Sequence, residues 1–198
     1  MTGRAAVSGI VLAGGRSRRF GRDKLAERIG DRTLLELAIE AVRSVAADVV
    51  VVAAPAAAPD VPPGVELVHD DAAFEGPLAG LIAGLTAVRE PLVVVVGGDM
   101  PTLSPAVLDL LVRTLEVATA DACALHSFGR LQPLPMALRT GAATALVRQL
   151  VAERERRLGA VLDRLSVRTL GDGEWRALDP EARTLRDIDE PADLEGLP

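Results

Sequence analysis

Residues 92–101 read Leu-Val-Val-Val-Val-Gly-Gly-Asp-Met-Pro. Five apolar residues in succession, four of them β-branched, leave the strand no polar face, the pattern of a strand covered on both sides in a parallel sheet. The run stops on two glycines and Asp99. Outward from it, a similar run occupies Asp48 to Ala54, shorter ones occupy Gly9 to Ala13 and Val65 to Val68, and segments of helical period lie between them. Strands alternating with helices specify an α/β fold on a mostly parallel sheet.

The helices carry their own start signals. Thr33 with Glu36 three residues on is a capping box, followed by Leu34, Leu37, Ile39, Val42 and Val45 at helical spacing to near Ala46. A second helix spans Leu78 to Arg89, where Ala79, Gly80, Ala83 and Gly84 permit close packing on the sheet. Ser104 and Pro105 are an N-cap and a first-turn proline for a helix through Val117. Asp121 to His126 and Gln132 to Leu138 are strands around a Phe128-Gly129-Arg130 turn, which predicts an antiparallel edge. Thr140 to Arg157 and Leu158 to Leu165 are helical, Arg183 to Ile188 is strand-like, and a short helix starts near Pro191. No repeat or low-complexity linker interrupts the chain, so a single domain over residues 1–198 is expected.

Composition narrows the function. With 198 residues, 49% apolar and a net charge of −6, this is a globular chain without the basic surface that a duplex would need. Aromatics make up 2% and tyrosine is absent, so stacking platforms for unpaired bases are scarce; no nucleic-acid partner is expected. One cysteine, Cys123, lies in an apolar run where an inert thiol is expected, and implies a reducing compartment. With that cysteine and two histidines, His69 and His126, a metal would be oxygen-bound, and magnesium is the default. The apolar stretch Val7 to Ala13 is cut by Ser8 and Gly9, unlike a signal peptide, and no run can span a bilayer; the expected location is the cytoplasm.

Leu12-Ala13-Gly14-Gly15-Arg16-Ser17-Arg18-Arg19-Phe20-Gly21-Arg22-Asp23-Lys24 follows the first strand directly. Its glycines let backbone N–H groups approach an anion, and Arg18, Arg19, Arg22 and Lys24 add positive charge, which suits a nucleoside triphosphate. Neither a Walker A loop nor a GxGxxG fingerprint is present. Lys24 is the chain's only lysine among arginines, a compact ammonium where a planar fork would not fit between phosphate oxygens.

Asp99 ends its strand at the carboxyl edge, where ligands of open α/β sheets bind, and one carboxylate plus substrate phosphates is a common magnesium site. Asp70 and Asp71 close the third strand, before Gly76-Pro77-Leu78-Ala79-Gly80. Asp187 and Asp189 flank Ile188 and share a face if extended, able to reach a second metal or an acceptor; Asp189 is read preferentially as a helix cap. Arg154-Glu155-Arg156-Arg157 reads as a solvated helix face supported by Glu153 and Arg157 at i,i+4. His69, His126 and Trp175 read as structural.

Taken in order, Leu-Ala-Gly-Gly with its Arg-Phe-Gly-x-Asp-Lys continuation, Gly-Pro-Leu-Ala-Gly, Gly-Gly-Asp-Met-Pro and Asp-Ile-Asp-Glu-Pro resemble the molybdenum cofactor guanylyltransferases of the MobA-like nucleotidyltransferase group, from Gly9 to about Leu194. The resemblance implies a Rossmann-like three-layer fold and transfer of GMP from GTP to the phosphate of molybdopterin with release of pyrophosphate. It implies catalytic roles for Arg19, Lys24 and Asp99, nucleotide binding at Leu12, Ala13, Gly14, Gly15, Lys24, Asp70 and Asp99, magnesium on Asp99, and transient contact with molybdoenzymes or delivery proteins. Gly14-Gly15 is similar to the guanine version of the loop, where related cytidylyltransferases carry alanine at the position of Gly14. Arg156 and Arg157 align with a basic pair near the acceptor pocket, to which Asp187 is also assigned.

The chain departs from the pattern at three places. An Asn after the second strand is absent at Val52, Ala53 and Ala54, a His-Pro-Thr reads Gln132-Pro133-Leu134, and an Asn-x-Asn reads Asp187-Ile188-Asp189. The alternatives are a CTP-dependent enzyme, a nucleotidyltransferase with another phosphorylated acceptor, or a nucleotide-binding adaptor for cofactor delivery.

Overall fold

A computed structural model describes residues 6–14, 24–70 and 76–194. Strand β1 (Val7–Ala13) is flanked in parallel by β4 (Asp48–Ala53) and β6 (Leu92–Gly97), with β5 (Val65–His69) parallel beyond β4. β2 (Arg28–Ile29) and β3 (Arg32–Thr33) form a separate small hairpin. The seven-stranded order is β5-β4-β1-β6-β8-β7-β9, with β7 (Ala122–Ser127), β8 (Arg130–Arg139) and β9 (Val167–Leu170) completing it.

Both faces are covered, which is why the strands carry no polar side. Ile10, Val50, Val52, Val93 and Val95 enter one core with α2 (Pro77–Ala87), α4 (Thr140–Ala152) and α5 (Gly159–Arg164). Their neighbours Val11, Val49, Val51, Val94 and Val96 enter the other, with α1 (Leu34–Arg43), α3 (Pro105–Val117) and the short α6 (Asp172–Trp175). Successive residues of one strand thus supply two cores, giving a three-layer α/β molecule. Among the described residues, no helix is long and apolar enough to cross a membrane.

Thr33 forms the expected capping box, with Glu36 N–H donating to Thr33 Oγ1 (3.1 Å) and Thr33 N–H to Glu36 Oε2 (2.7 Å). The buried side of α1 turns on Leu35 and Ala38 with Ile39 and Val42. Leu37 and Val45 are only partly covered.

Four expectations need correction. The antiparallel element lies inside the sheet: β8 pairs antiparallel with both β6 and β7, and β9 adds in parallel outside β7. Short, charged β9 has no alternating apolar pattern, so its pairing with β7 was not legible. The helix expected to reach Arg157 ends at Ala152, because Arg154 takes a left-handed conformation (φ 62°). Its N–H bonds Val151 O (3.0 Å) and that of Glu155 bonds Leu150 O (2.9 Å), a Schellman stop. Glu153 therefore pairs with Arg164 (2.8 Å), and Arg157 turns to Glu155 (3.2 Å) and Asp163 (3.6 Å). Finally, Arg183–Leu185 is a 3₁₀ turn leading into unpaired extended chain, because its polar groups are taken by Asp179 and by the loop before α3.

Candidate active site

Parallel strands that start level end level. Leu12 is in register with Gly97, and Ala13 with Ala53, itself paired with His69, so β1, β4, β5 and β6 finish at one edge. Leu12 and Ala13 are half-buried there and Gly14 is exposed. Asp70 follows β5, its N–H bonded to Ala53 O (3.1 Å), and Asp99 follows β6. Gly98 N–H donates to Leu12 O (3.0 Å) and ties the two strand ends together. At Gly97 a Cβ would stand 2.5 Å from Asp99 Oδ1, so only glycine lets the carboxylate fold back over the strand end.

Lys24 begins a 3₁₀ turn, Lys24–Ala26, and its ammonium reaches this edge. Nζ donates to Asp99 Oδ2 (2.7 Å), Ile188 O (2.8 Å) and Asp189 Oδ1 (3.3 Å). Ile188 closes the circuit, since its N–H donates to Asp99 O (3.0 Å) while its side chain is fully buried beside Leu34. Burial acts on Lys24 toward the neutral amine, but hydrogen bonding and charge from Asp99, then Asp189, outweigh it and hold the pKa above its ordinary value. The Asp187 carboxyl is pushed up, first by desolvation and then by the charges of Asp189 and Asp99, although the residue keeps a solvent-open face.

The structure therefore brings Lys24, Asp99, Asp187 and Asp189 together, with Leu12, Ala13 and Gly14 alongside. Gly15, Arg19 and Asp71 lie outside the described residues. The cap expected of Asp189 is supplied by Asp193, whose Oδ2 accepts from Asp189 N–H (2.8 Å) and Glu190 N–H (2.7 Å), which leaves the Asp189 carboxylate to Lys24. The local capping pattern was visible in the sequence; a partner 165 residues away was not. The backbone of Arg156 packs close to Gly76 (φ 82°) at the start of α2.

The remaining expectations concern bystanders. His69 Nε2 lies 2.9 Å from Ala57 O and Trp175 is fully buried, both structural. Burial pushes the Cys123 thiol up to about 12, consistent with an inert thiol. A surface depression bordered by Arg113, Thr114, Val117 and Arg168 opens at the opposite edge of the sheet, where none of the motif residues lie.

The sequence profile of the MobA-like NTP transferase domain matches residues 9–169. The chain belongs to the MobA-like NTP transferase family. A probable molybdenum cofactor guanylyltransferase of Chloroflexus aggregans is 39% identical over 196 residues, covering 96% of this chain and 92% of its own. Molybdopterin-guanine dinucleotide biosynthesis protein A of Archaeoglobus fulgidus superimposes with a TM-score of 0.78 at 25% identity, over 94% of each chain. The 2-C-methyl-D-erythritol 4-phosphate cytidylyltransferase of Thermus thermophilus shares the fold alone, with a TM-score of 0.69 at 19% identity over 93% of this chain and 94% of its own. The segment from Asp187 to Asp189, which completes the surroundings of Lys24, lies beyond the matched domain.

Proposed function

We propose that the chain transfers GMP from GTP to the phosphate of molybdopterin, forming the guanine dinucleotide cofactor and pyrophosphate. The observation that carries this reading is the Lys24–Asp99 pair at 2.7 Å, seated where the ends of β1 and β6 meet. A single ammonium and a carboxylate at the carboxyl edge of the sheet suit a substrate that brings several phosphates and a divalent ion.

In the reaction an oxygen of the acceptor phosphate forms a bond to the α-phosphorus while the bond to the pyrophosphate oxygen breaks. The acceptor is an anion already, so the site has no need of a general base. Its task is to hold two anions in line and to stabilise charge on the leaving group. Lys24 is built for that: its raised pKa keeps it charged, and its contacts to Asp99 and Asp189 hold it at the crevice until phosphate oxygens replace them. Arg19, in the loop that precedes Lys24 in sequence, is assigned to the same leaving charge.

The donor chemistry fits magnesium. The nearby groups are carboxylates, and Asp187, raised first by desolvation and then by the charges of Asp189 and Asp99, stands in a negative surrounding that a cation would relieve. Among the described residues no group of three His, Cys, Asp or Glu side chains forms a protein-only cage, so Asp99 would hold the ion together with substrate phosphates. When bound, the ion would polarise the phosphoryl group and offset charge on the departing oxygens.

Asp70 sits three strand spacings from Asp99, about 14 Å, too far to share an ion. Asp70 is proposed to serve the nucleoside end, with Leu12, Ala13 and Gly14 at the strand end between it and Asp99. Pyrophosphate release measured with each of the four NTPs, magnesium and molybdopterin tests the reading. GTP is expected to support turnover, and Lys24→Ala or Asp99→Ala to lower it by about 100-fold or more. Turnover with CTP in place of GTP would overturn the assignment of the base.

A further inference from the structure

We infer that Phe128 is the stacking platform for the planar pterin ring of the acceptor; this deepens the reading above and rests on it. Strand register sets the place. Val95 pairs with Met136 and Met136 with Ala124, and β8 is antiparallel to both neighbours, so β6 and β7 run the same way and Asp99 and Phe128 both follow strand ends on one edge of the sheet, with a register shift in the β7–β8 pairing between Ala124 and His126. Two strand spacings separate β6 from β7, roughly 10 Å. Phe128 thus follows β7 on the side of β6 away from β1, β4 and β5, whose ends carry Gly14 and Asp70. An acceptor attacking from that side would lay its ring toward β7.

The ring is displayed at a conformational cost. Phe128 is 74% exposed and has a φ of 53°, followed by Gly129 at 75°, a turn suited to Asn-Gly rather than to a bulky aromatic. The turn is braced from below: buried Gln132 donates from Nε2 to Ser127 O (2.8 Å) and Arg130 O (3.4 Å), the two carbonyls that flank it.

Arg176 backs the ring, its guanidinium 5.8 Å from the Phe128 centroid and 5.1 Å from that of Trp175. It is pinned by Asp172 Oδ1 (2.9 Å), Ser127 Oγ (3.1 Å) and Pro180 O (3.3 Å). A fixed aromatic face with a cation behind it suits an electron-rich conjugated ring on an anionic ligand. The chain between Arg176 and Ile188 links this platform to Lys24, so one segment serves both ends of the acceptor's path.

The test is steady-state GMP transfer by the full chain, with GTP and molybdopterin varied separately. Phe128→Ala and Phe128→Asn are expected to raise the KM for molybdopterin about tenfold or more with the KM for GTP unchanged, and Phe128→Trp to restore it. The Tm of Phe128→Asn should not fall, because Asn tolerates the left-handed turn, which separates loss of a platform from loss of structure. An acceptor KM within about twofold of wild type in both variants would overturn the proposal. So would unchanged kinetics with a change in oligomeric state, which would assign the ring to self-association. If the wild type fails to transfer GMP, the functional reading falls first, and calorimetry with 6-hydroxymethylpterin monophosphate then judges the platform alone. Binding lost in Phe128→Ala upholds it, and no binding or equal binding refutes it.

Discussion

Lys24 is surrounded by oxygen: Asp99 at 2.7 Å, Ile188 O at 2.8 Å and Asp189 at 3.3 Å. These contacts point in different directions, which three rotatable N–H bonds on one nitrogen can follow and a planar guanidinium cannot. Lys24→Arg is accordingly expected to keep the charge and lose most of the turnover, by about tenfold or more in kcat/KM measured as pyrophosphate release. Because the folded-state pKa of Lys24 is raised, the stability it contributes is fully present below the unfolded value of about 10.4 and is lost only as pH rises through the folded one. Asp187 has the opposite consequence at neutral pH. Its pKa is also raised, so the protonated form favours the fold, and that stability is lost as pH climbs from the ordinary aspartate range through the folded value. Asp187→Asn should therefore raise Tm at neutral pH, with the gain vanishing below about pH 3.9, as differential scanning calorimetry across pH would show. The sequence made Lys24 conspicuous as the only lysine, and Asp99 as the end of an apolar run. The function of Asp189 was hidden, because capping is a rule over four residues and its ion pair spans the chain.

The C-terminal segment acts as one element. Asp179 carboxylate oxygens accept from Arg183 N–H (3.0 Å) and Thr184 N–H (2.7 Å), Thr102 Oγ1 donates to Arg183 O (2.7 Å), and Ser104 N–H donates to Thr184 Oγ1 (3.0 Å). These bonds lead the chain across the carboxyl edge to Ile188, whose buried side chain locks it beside α1. Ile188→Ala should cost roughly 2–5 kcal/mol in denaturant unfolding. It should also lower kcat in protein that remains folded, since the Ile188 carbonyl and amide hold Lys24 and Asp99; Ile188→Val should restore most of both. At the end of α4, Arg154→Gly should stabilise the fold by about 0.5–1 kcal/mol in the same measurement, because the left-handed stop no longer opposes a Cβ. The segment was only partly legible. Its strand-like composition predicted a strand, whereas Arg183–Leu185 is a 3₁₀ turn and only the chain after it is extended; which neighbour takes its hydrogen bonds depends on the loop after β6, not on local pattern.

For the whole molecule, the sheet order β5-β4-β1-β6-β8-β7-β9 places the end of β1, the acidic end of β6 and the turn after β7 at one edge. The central strands were readable because each feeds two cores: Val93 and Val95 go to one, Val94 and Val96 to the other. β9 and the interior position of β8 were not, since a four-residue strand gains its partner from tertiary packing alone. This edge is the one expected to receive the triphosphate. A crystal structure with magnesium and a non-hydrolysable GTP analogue tests it most directly. Phosphate oxygens within hydrogen-bond distance of Lys24 Nζ and the metal ion on the Asp99 carboxylate are the predicted result. A nucleotide bound elsewhere, such as the depression beside Arg113 and Arg168 at the far edge of the sheet, would contradict it.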